Sequence, residues 1–194
     1  MKKKMWIILA VVAVVVVWCI SCYNGLVTKE ETVVEKWSQV ENQYQRRYEL
    51  IPNLMETVKG YAEHEKSTFE EVVAARAKAT AISLDVESLT AEQLAEYQKA
   101  QNELGAALRH SVVAIGEAYP ELKANNNFME FQAQLEGCEN RIAVARKDFN
   151  EAVKVYNLKV KRFPSNLFAG LFGFEKRVYF ESAQEAVSAP VVAF

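Results

Sequence analysis

The sequence predicts an all-α protein in three parts: an N-terminal transmembrane helix (1–28), a long antiparallel three-helix, coiled-coil-like bundle (29–163) and a short aromatic C-terminal tail (164–194). Three observations predict it. No charged side chain occurs from Met5 to Thr28, and every residue from Met5 to Ile20 is apolar. Beyond that run, apolar residues return at heptad spacing and do not alternate, which is the mark of helices and not of strands. After Pro164 the pattern stops, and Phe168, Phe172, Phe174, Tyr179 and Phe180 crowd into a few turns of chain.

At about 1.5 Å rise per residue, Trp6 to Tyr23 covers roughly 27 Å, close to the hydrocarbon thickness of a bilayer. The aromatic residues at its two ends suit the two membrane interfaces. A cleaved signal peptide also begins with a basic stretch such as Lys2, Lys3 and Lys4, but this run is long for one and no small-x-small site follows it. Ser21-Cys22 leaves a second alternative, a lipoprotein acylated on Cys22, although Cys19 stands where such sites usually carry an aliphatic residue. Orientation follows from the lysines. Three precede the span, whereas only Lys29 and Lys36 follow it before Arg46, diluted by Glu30, Glu31, Glu35 and Glu41. This places the N-terminus in the cytoplasm and the bulk of the chain outside.

The first helix of the bundle is expected from about Lys29 to Ala81, with a seam of Val33, Trp37, Val40, Tyr44, Ile51, Leu54, Val58, Tyr61, Val72 and Ala75. It is placed to continue the membrane helix, which would make anchor and bundle one rigid rod. Pro52 falls inside it, where a missing N–H and a ring clash predict a kink at 48–53. Residues 83–88 break the pattern. Thr90 and Gln93 then have capping-box spacing for a second helix from Ala91, which carries Leu94, Tyr97, Leu104, Leu108, Ile115 and Tyr119 and stops at Pro120. The third helix, from Asn126 to Phe163, shows Phe128, Phe131, Leu135, Cys138, Ile142, Ala145, Phe149, Val153, Tyr156, Val160 and Phe163 on one stripe. Three such stripes imply an antiparallel bundle.

Polar residues interrupt these seams. Arg47 and Glu65 fall on the first, Gln101 and Ser111 on the second. A buried charge is costly unless paired, so Arg47 should find a carboxylate, for which Glu136 and Glu139 on the third helix are the candidates. Arg47, Gln101, Glu136 and Glu139 thus form a candidate buried polar cluster. It either fixes helix register or lines a pocket between helices. The tail reads as a lid folded onto the bundle or as a surface that docks on a membrane, a neighbouring subunit or another protein. Within it, 177–180 has the composition of a short strand.

Several functions are excluded. Residues 29–194 hold 20 Lys and Arg against 25 Asp and Glu with no basic stripe, which speaks against a nucleic-acid partner. Cys138 stands alone outside the anchor, and Cys19 and Cys22 lack the second ligand pair that zinc requires. His64-Glu65 starts like a metalloprotease helix, but Thr68 occupies the place of the second histidine. His110 is isolated, and no nucleophile elbow or phosphate-binding glycine loop occurs. Gly60, Gly105, Gly116 and Gly137 fall mid-helix and mark close helix contacts. No catalytic, cofactor or metal residue is therefore assigned.

Taken together, several stretches carry a family resemblance. They are Tyr23-Asn24-Gly25-Leu26-Val27, Trp37-Ser38-Gln39-Val40-Glu41, Arg46-Arg47-Tyr48-Glu49-Leu50-Ile51-Pro52-Asn53-Leu54 and Val58-Lys59-Gly60-Tyr61-Ala62 with His64-Glu65. Leu122-Lys123-Ala124-Asn125, Gln134-Leu135-Glu136, Glu139-Asn140-Arg141-Ile142, Ala145-Arg146 and Phe163-Pro164-Ser165-Asn166 follow in order. In these the chain closely resembles the LemA family of bacterial membrane proteins. The resemblance covers essentially the whole chain and implies one N-terminal membrane helix, an α-helical bundle and no established enzymatic activity. Arg46, Arg47, Asn53, Glu136, Asn140 and Arg141 carry over as motif positions without a role. Gln43 and Tyr44 fall in a variable part of the motif, and the pattern does not require Cys22.

The expectation is a single-pass protein of the bacterial inner (cell) membrane, a self-associating scaffold or adaptor at the envelope whose partners are membrane lipids and further copies of itself. The alternative is a membrane-tethered sensor or binding module that holds a small ligand or peptide among Arg47, Gln101 and Glu136.

Overall fold

The computed structural model describes residues 2–59 and 66–181. Tyr61, His64 and Glu65, singled out above, and Gly60 lie outside the described residues, as does the chain after Glu181. Six helices follow in order: α1 (Lys2–Val58), α2 (Lys66–Ala81), α3 (Ala91–Ala118), α4 (Pro120–Lys123), α5 (Asn126–Lys161) and α6 (Ser165–Phe172). The all-α class holds, and no strand occurs among the described residues.

The membrane segment and the first bundle helix are one element, α1, of 57 residues. At 1.5 Å per residue it is about 85 Å long. It passes through Pro52 and ends at Val58, so the helix expected to run to Ala81 is two helices. The bundle therefore has four long helices and not three. Tyr48 on α1 donates to the Ala79 carbonyl on α2 at 3.3 Å, which sets α2 antiparallel beside the upper part of α1. Trp37 and Tyr97 meet at 5.8 Å between ring centres, and Arg47 meets Gln101, so α3 runs parallel to α1. Cys138 faces Gln43, Phe149 faces Trp37, Tyr156 faces Glu30 and Lys159 faces Gly25, which sets α5 antiparallel to α1 along its length. The result is an up-down-up-down four-helix bundle.

Local signals explain the ends. The Thr90 hydroxyl accepts from the Gln93 N–H at 3.2 Å while the Gln93 side chain accepts from the Thr90 N–H, the reciprocal cap expected for α3. Asn125 caps α5 through Asn127. The expected seams supply the core: Val33, Trp37, Val40, Tyr44, Ile51, Leu54, Leu94, Leu104, Leu108, Ile115, Phe128, Phe149, Val153 and Tyr156 are all buried. Pro164, joined to Phe163 by a cis peptide, separates α5 from α6. Gly173, at φ 77°, lies in the left-handed region that side chains resist, and there the chain reverses out of α6.

From Phe174 to Glu181 the chain is extended and climbs back along the bundle. Residues 177–180 are not the expected strand, because no second strand lies beside them among the described residues. Helices offer no free backbone ladder, so side chains take its place.

Candidate functional site

Two adjoining arrangements occupy the middle of the bundle. The first is a polar chain across all four long helices. Arg47 on α1 is nearly fully buried, and its fork spreads to α5 and α3. Nη1 donates to Glu139 at 3.1 Å, and Nη2 donates to both the carbonyl (2.8 Å) and the side-chain oxygen (2.5 Å) of Gln101. The Gln101 amide donates in turn to the Tyr48 hydroxyl, which donates to Ala79 on α2. Arg109 lies 3.6 Å from the second Glu139 oxygen. A planar guanidinium suits this role because its donors are fixed in a fork.

Of the residues anticipated here, Arg47, Gln101 and Glu139 come together. Glu136 does not: it is exposed on α5, about 60° round the helix from Glu139. Ser111 is buried elsewhere on α3. Gly105 explains its own place, since a methyl group there would come 3.0 Å from Arg47 Nη1 and 3.4 Å from a Glu139 oxygen. Gly116 faces Phe128, and Gly137 meets only the end of the Arg141 side chain.

Beside this network lies a cleft of about 640 Å³ among α1, α3 and α5, lined in part by Tyr44, Arg47, Gln98, Arg109, Glu139 and Arg146. The Tyr44 hydroxyl and Arg47 Nε are buried and find no hydrogen-bond partner among the described residues. Burial holds the Tyr44 phenol above its usual range, against the pull of Arg146 and Arg47. Burial also raises the Cys138 thiol, with Arg47 opposing. Both groups are therefore kept uncharged at neutral pH.

The second arrangement lays the tail along the bundle, with Glu181 reaching the wall of the cleft. Three side-chain amides each bond both the N–H and the C=O of one tail residue. Asn157 takes Arg177 (2.9 and 2.8 Å), Asn150 takes Phe180 (2.9 Å each) and Gln98 takes Glu181 (3.2 and 2.9 Å). Phe180 is buried between Trp37, at 5.9 Å and stacked, and Phe149, at 5.4 Å and edge-on, with Arg146 over its face. Arg177 pairs with Glu30 at 2.5 Å and also donates to the Glu87 carbonyl. Tyr156, which donates to Glu30, has its phenol pushed up to about 12, by burial first and then by the Glu30 carboxylate.

Sequence reasoning missed Asn150, Asn157, Gln98 and the Glu30–Arg177 pair. One signal was present: Asn150 and Asn157 are seven residues apart, hence on one face of α5, flanking its apolar stripe. Cys22 lies within α1 and is buried. Arg46 and Asn53 line a shallow polar groove on the outside of α1 with Asn42, Gln45 and Glu49. Among the described residues no group of three His, Cys, Asp or Glu side chains is placed to hold a metal ion.

Comparison with known proteins gives this architecture relatives. The profile of the LemA family matches residues 36–194. Magnetosome protein MamQ 2 of Paramagnetospirillum magneticum is 28% identical over 187 residues, covering 88% of this chain and 68% of the relative. Magnetosome protein MamQ of Magnetospirillum gryphiswaldense is 26% identical over 186 residues with the same two coverages. Protein LemA of Metamycoplasma hominis is 23% identical over 146 residues, covering 75% of this chain and 63% of its own.

Proposed function

This chain belongs to the LemA family, and from that premise we propose that it is a non-enzymatic scaffold or adaptor, anchored by one membrane helix at the bacterial cell envelope and self-associating there. The observation that carries the proposal is α1. A single helix runs from an apolar segment long enough to cross a bilayer into the centre of the bundle, and only 6% of that segment's apolar window is covered by the rest of the chain. The uncovered surface is left to lipid and to further copies. Confinement of those copies to two dimensions raises their effective concentration without any new contact. The three lysines ahead of the span support a cytoplasmic N-terminus with the bundle outside the inner membrane. Cys22 sits mid-helix with unbroken helix on both sides, which supports an uncleaved anchor over lipid attachment.

The test is the mass of the full-length protein by light scattering in mild detergent and in lipid nanodiscs. A defined assembly larger than one chain is expected, and a monomer in both media would overturn the proposal.

The cleft supports a second reading, a tethered binding module. Tyr44 and Arg47 line it, and each carries a buried polar atom, the hydroxyl and Nε, without a partner among the described residues; groups of that kind are commonly satisfied by water or by a small polar ligand. A screen of small polar compounds and short peptides that never shifts the melting temperature of the protein would remove it.

A further inference from the structure

Helix α6 is built inside out for a helix in water. Its inward face carries the small residues Ser165 and Ala169, both buried, while Leu167 (62% exposed) and Leu171 (75%) point away from the protein and Phe172 is half exposed. Phe163, at the corner before it, is 74% exposed. A soluble amphipathic helix has the reverse pattern, and a contiguous apolar patch of this kind marks a docking surface.

The position of α6 identifies what covers the patch. Phe168 stands edge-on to Trp18 at 5.2 Å, and Phe172 stands edge-on to Tyr23 at 5.1 Å. The helix therefore lies beside the outer end of the apolar segment of α1, between those two levels. If Tyr23 marks the interface, Trp18 lies about 7.5 Å deeper at 1.5 Å per residue. Interfacial helices bury their apolar faces to about 5–10 Å. Exposed basic residues flank the patch, with Lys161 and Arg162 before it and Lys176 after it. Long basic side chains in that setting reach up to lipid phosphates while their stems stay in the apolar layer.

We infer that α6 and the Phe163–Pro164 corner are inserted in the interface of the membrane leaflet facing the bundle, so that the protein holds the bilayer at two points, through the α1 span and through α6. This rests on the anchoring of α1 proposed above. A second copy of the chain is the other candidate occupant, but it would have to reach the patch at the depth of the lipid headgroups, where the bilayer already is.

The test uses the full-length chain in vesicles of phosphatidylcholine with phosphatidylglycerol, carrying a photoreactive benzophenone side chain at one position at a time: 14 in the span, 167 or 171 on α6, and 113 on the distant exposed face of α3. All four positions are exposed in the bundle, so the probe displaces no core residue. Lipid adducts at 14, 167 and 171 with none at 113 are expected, as mass increments of one phospholipid. Adducts at 14 but only protein crosslinks, or none, at 167 and 171 would overturn this inference and leave the anchor standing. Adducts at 113 equal to those at 171 would also overturn it. Absence of lipid adducts at 14 would remove the anchor and this inference with it.

Discussion

Asn150 holds Phe180 by both of its backbone polar groups: the amide nitrogen donates to the Phe180 carbonyl and the amide oxygen accepts from the Phe180 N–H, each at 2.9 Å. A side chain thereby does for the tail what a neighbouring strand would do in a sheet. Asn150→Ala removes both bonds and leaves two backbone groups unsatisfied beside a buried ring, at a cost of about 1–3 kcal/mol. With Asn157→Ala added, residues 174–181 should exchange amide hydrogens and be cut by protease much faster, while α1, α3 and α5 keep their protection. Retained protection of Phe180 in the double variant would show that the amides contribute little and the aromatic pocket holds the tail alone.

Arg47→Ala should destabilise the bundle by about 1–3 kcal/mol in denaturant unfolding, since it strands the Gln101 acceptors in the interior, while the partly exposed Glu139 keeps Arg109. Arg47→Lys should rescue little, because an ammonium cannot span α3 and α5 as the guanidinium fork does. Arg47→Met, which removes the charge and fills the space, should cost less than Arg47→Ala. Equal stability of the lysine variant and the parent would refute the role given to the fork.

Two glycines in helices separate packing from propensity. Ala is favoured over Gly by about 1 kcal/mol in a helix interior. Gly137→Ala meets only the flexible end of Arg141, so its melting temperature should equal or exceed that of the parent. At Gly105 the added methyl lies 3.0 Å from the buried, fully engaged Arg47 Nη1, so Gly105→Ala should lower it. Stabilisation by both would mean that the network around Arg47 yields easily.

The buried tyrosines bear on alkaline stability. Burial raises the phenols of Tyr44, Tyr97 and Tyr156, the last to about 12. A raised folded-state value gives stability that is complete below the ordinary tyrosine value near 10 and is lost as pH rises through the folded value. The melting temperature should therefore fall from about pH 10 upward, and Tyr156→Phe should flatten that fall between 10 and 12. Phenolate absorbance of these three rings should appear only with unfolding. Their early titration in a protein with native circular dichroism would contradict the burial.

Most of the bundle was legible because its causes are local or periodic. The stripe of α5, the Thr90–Gln93 cap and the stop before Pro120 each follow from residues a few positions apart. Arg47 was legible as a buried charge needing a partner, but the choice between Glu136 and Glu139 depends on the rotation of α5 against α1, which spacing along one helix does not determine. The division of the first helix after Val58 was not legible, since the apolar seam resumes in phase at Val72 and Ala75 and hides the reversal. Residues 177–180 carry strand composition, and the chain there is indeed extended. What composition cannot reveal is that its hydrogen-bonding partners are Asn150, Asn157 and Gln98, amides contributed by two different helices.

The unbroken course of α1 turns the bundle into a lever. Under the anchoring proposed above, with Tyr23 at the interface, it extends about 50 Å beyond the bilayer by Val58 at 1.5 Å per residue. Spans tilt to match the thickness of the hydrocarbon they cross, and a change of about 10° in that tilt carries the far end sideways by about 9 Å. No joint stands between the lipid and the Arg47 network to absorb the motion. Bilayer thickness is thereby written into the position of the bundle's outer tip.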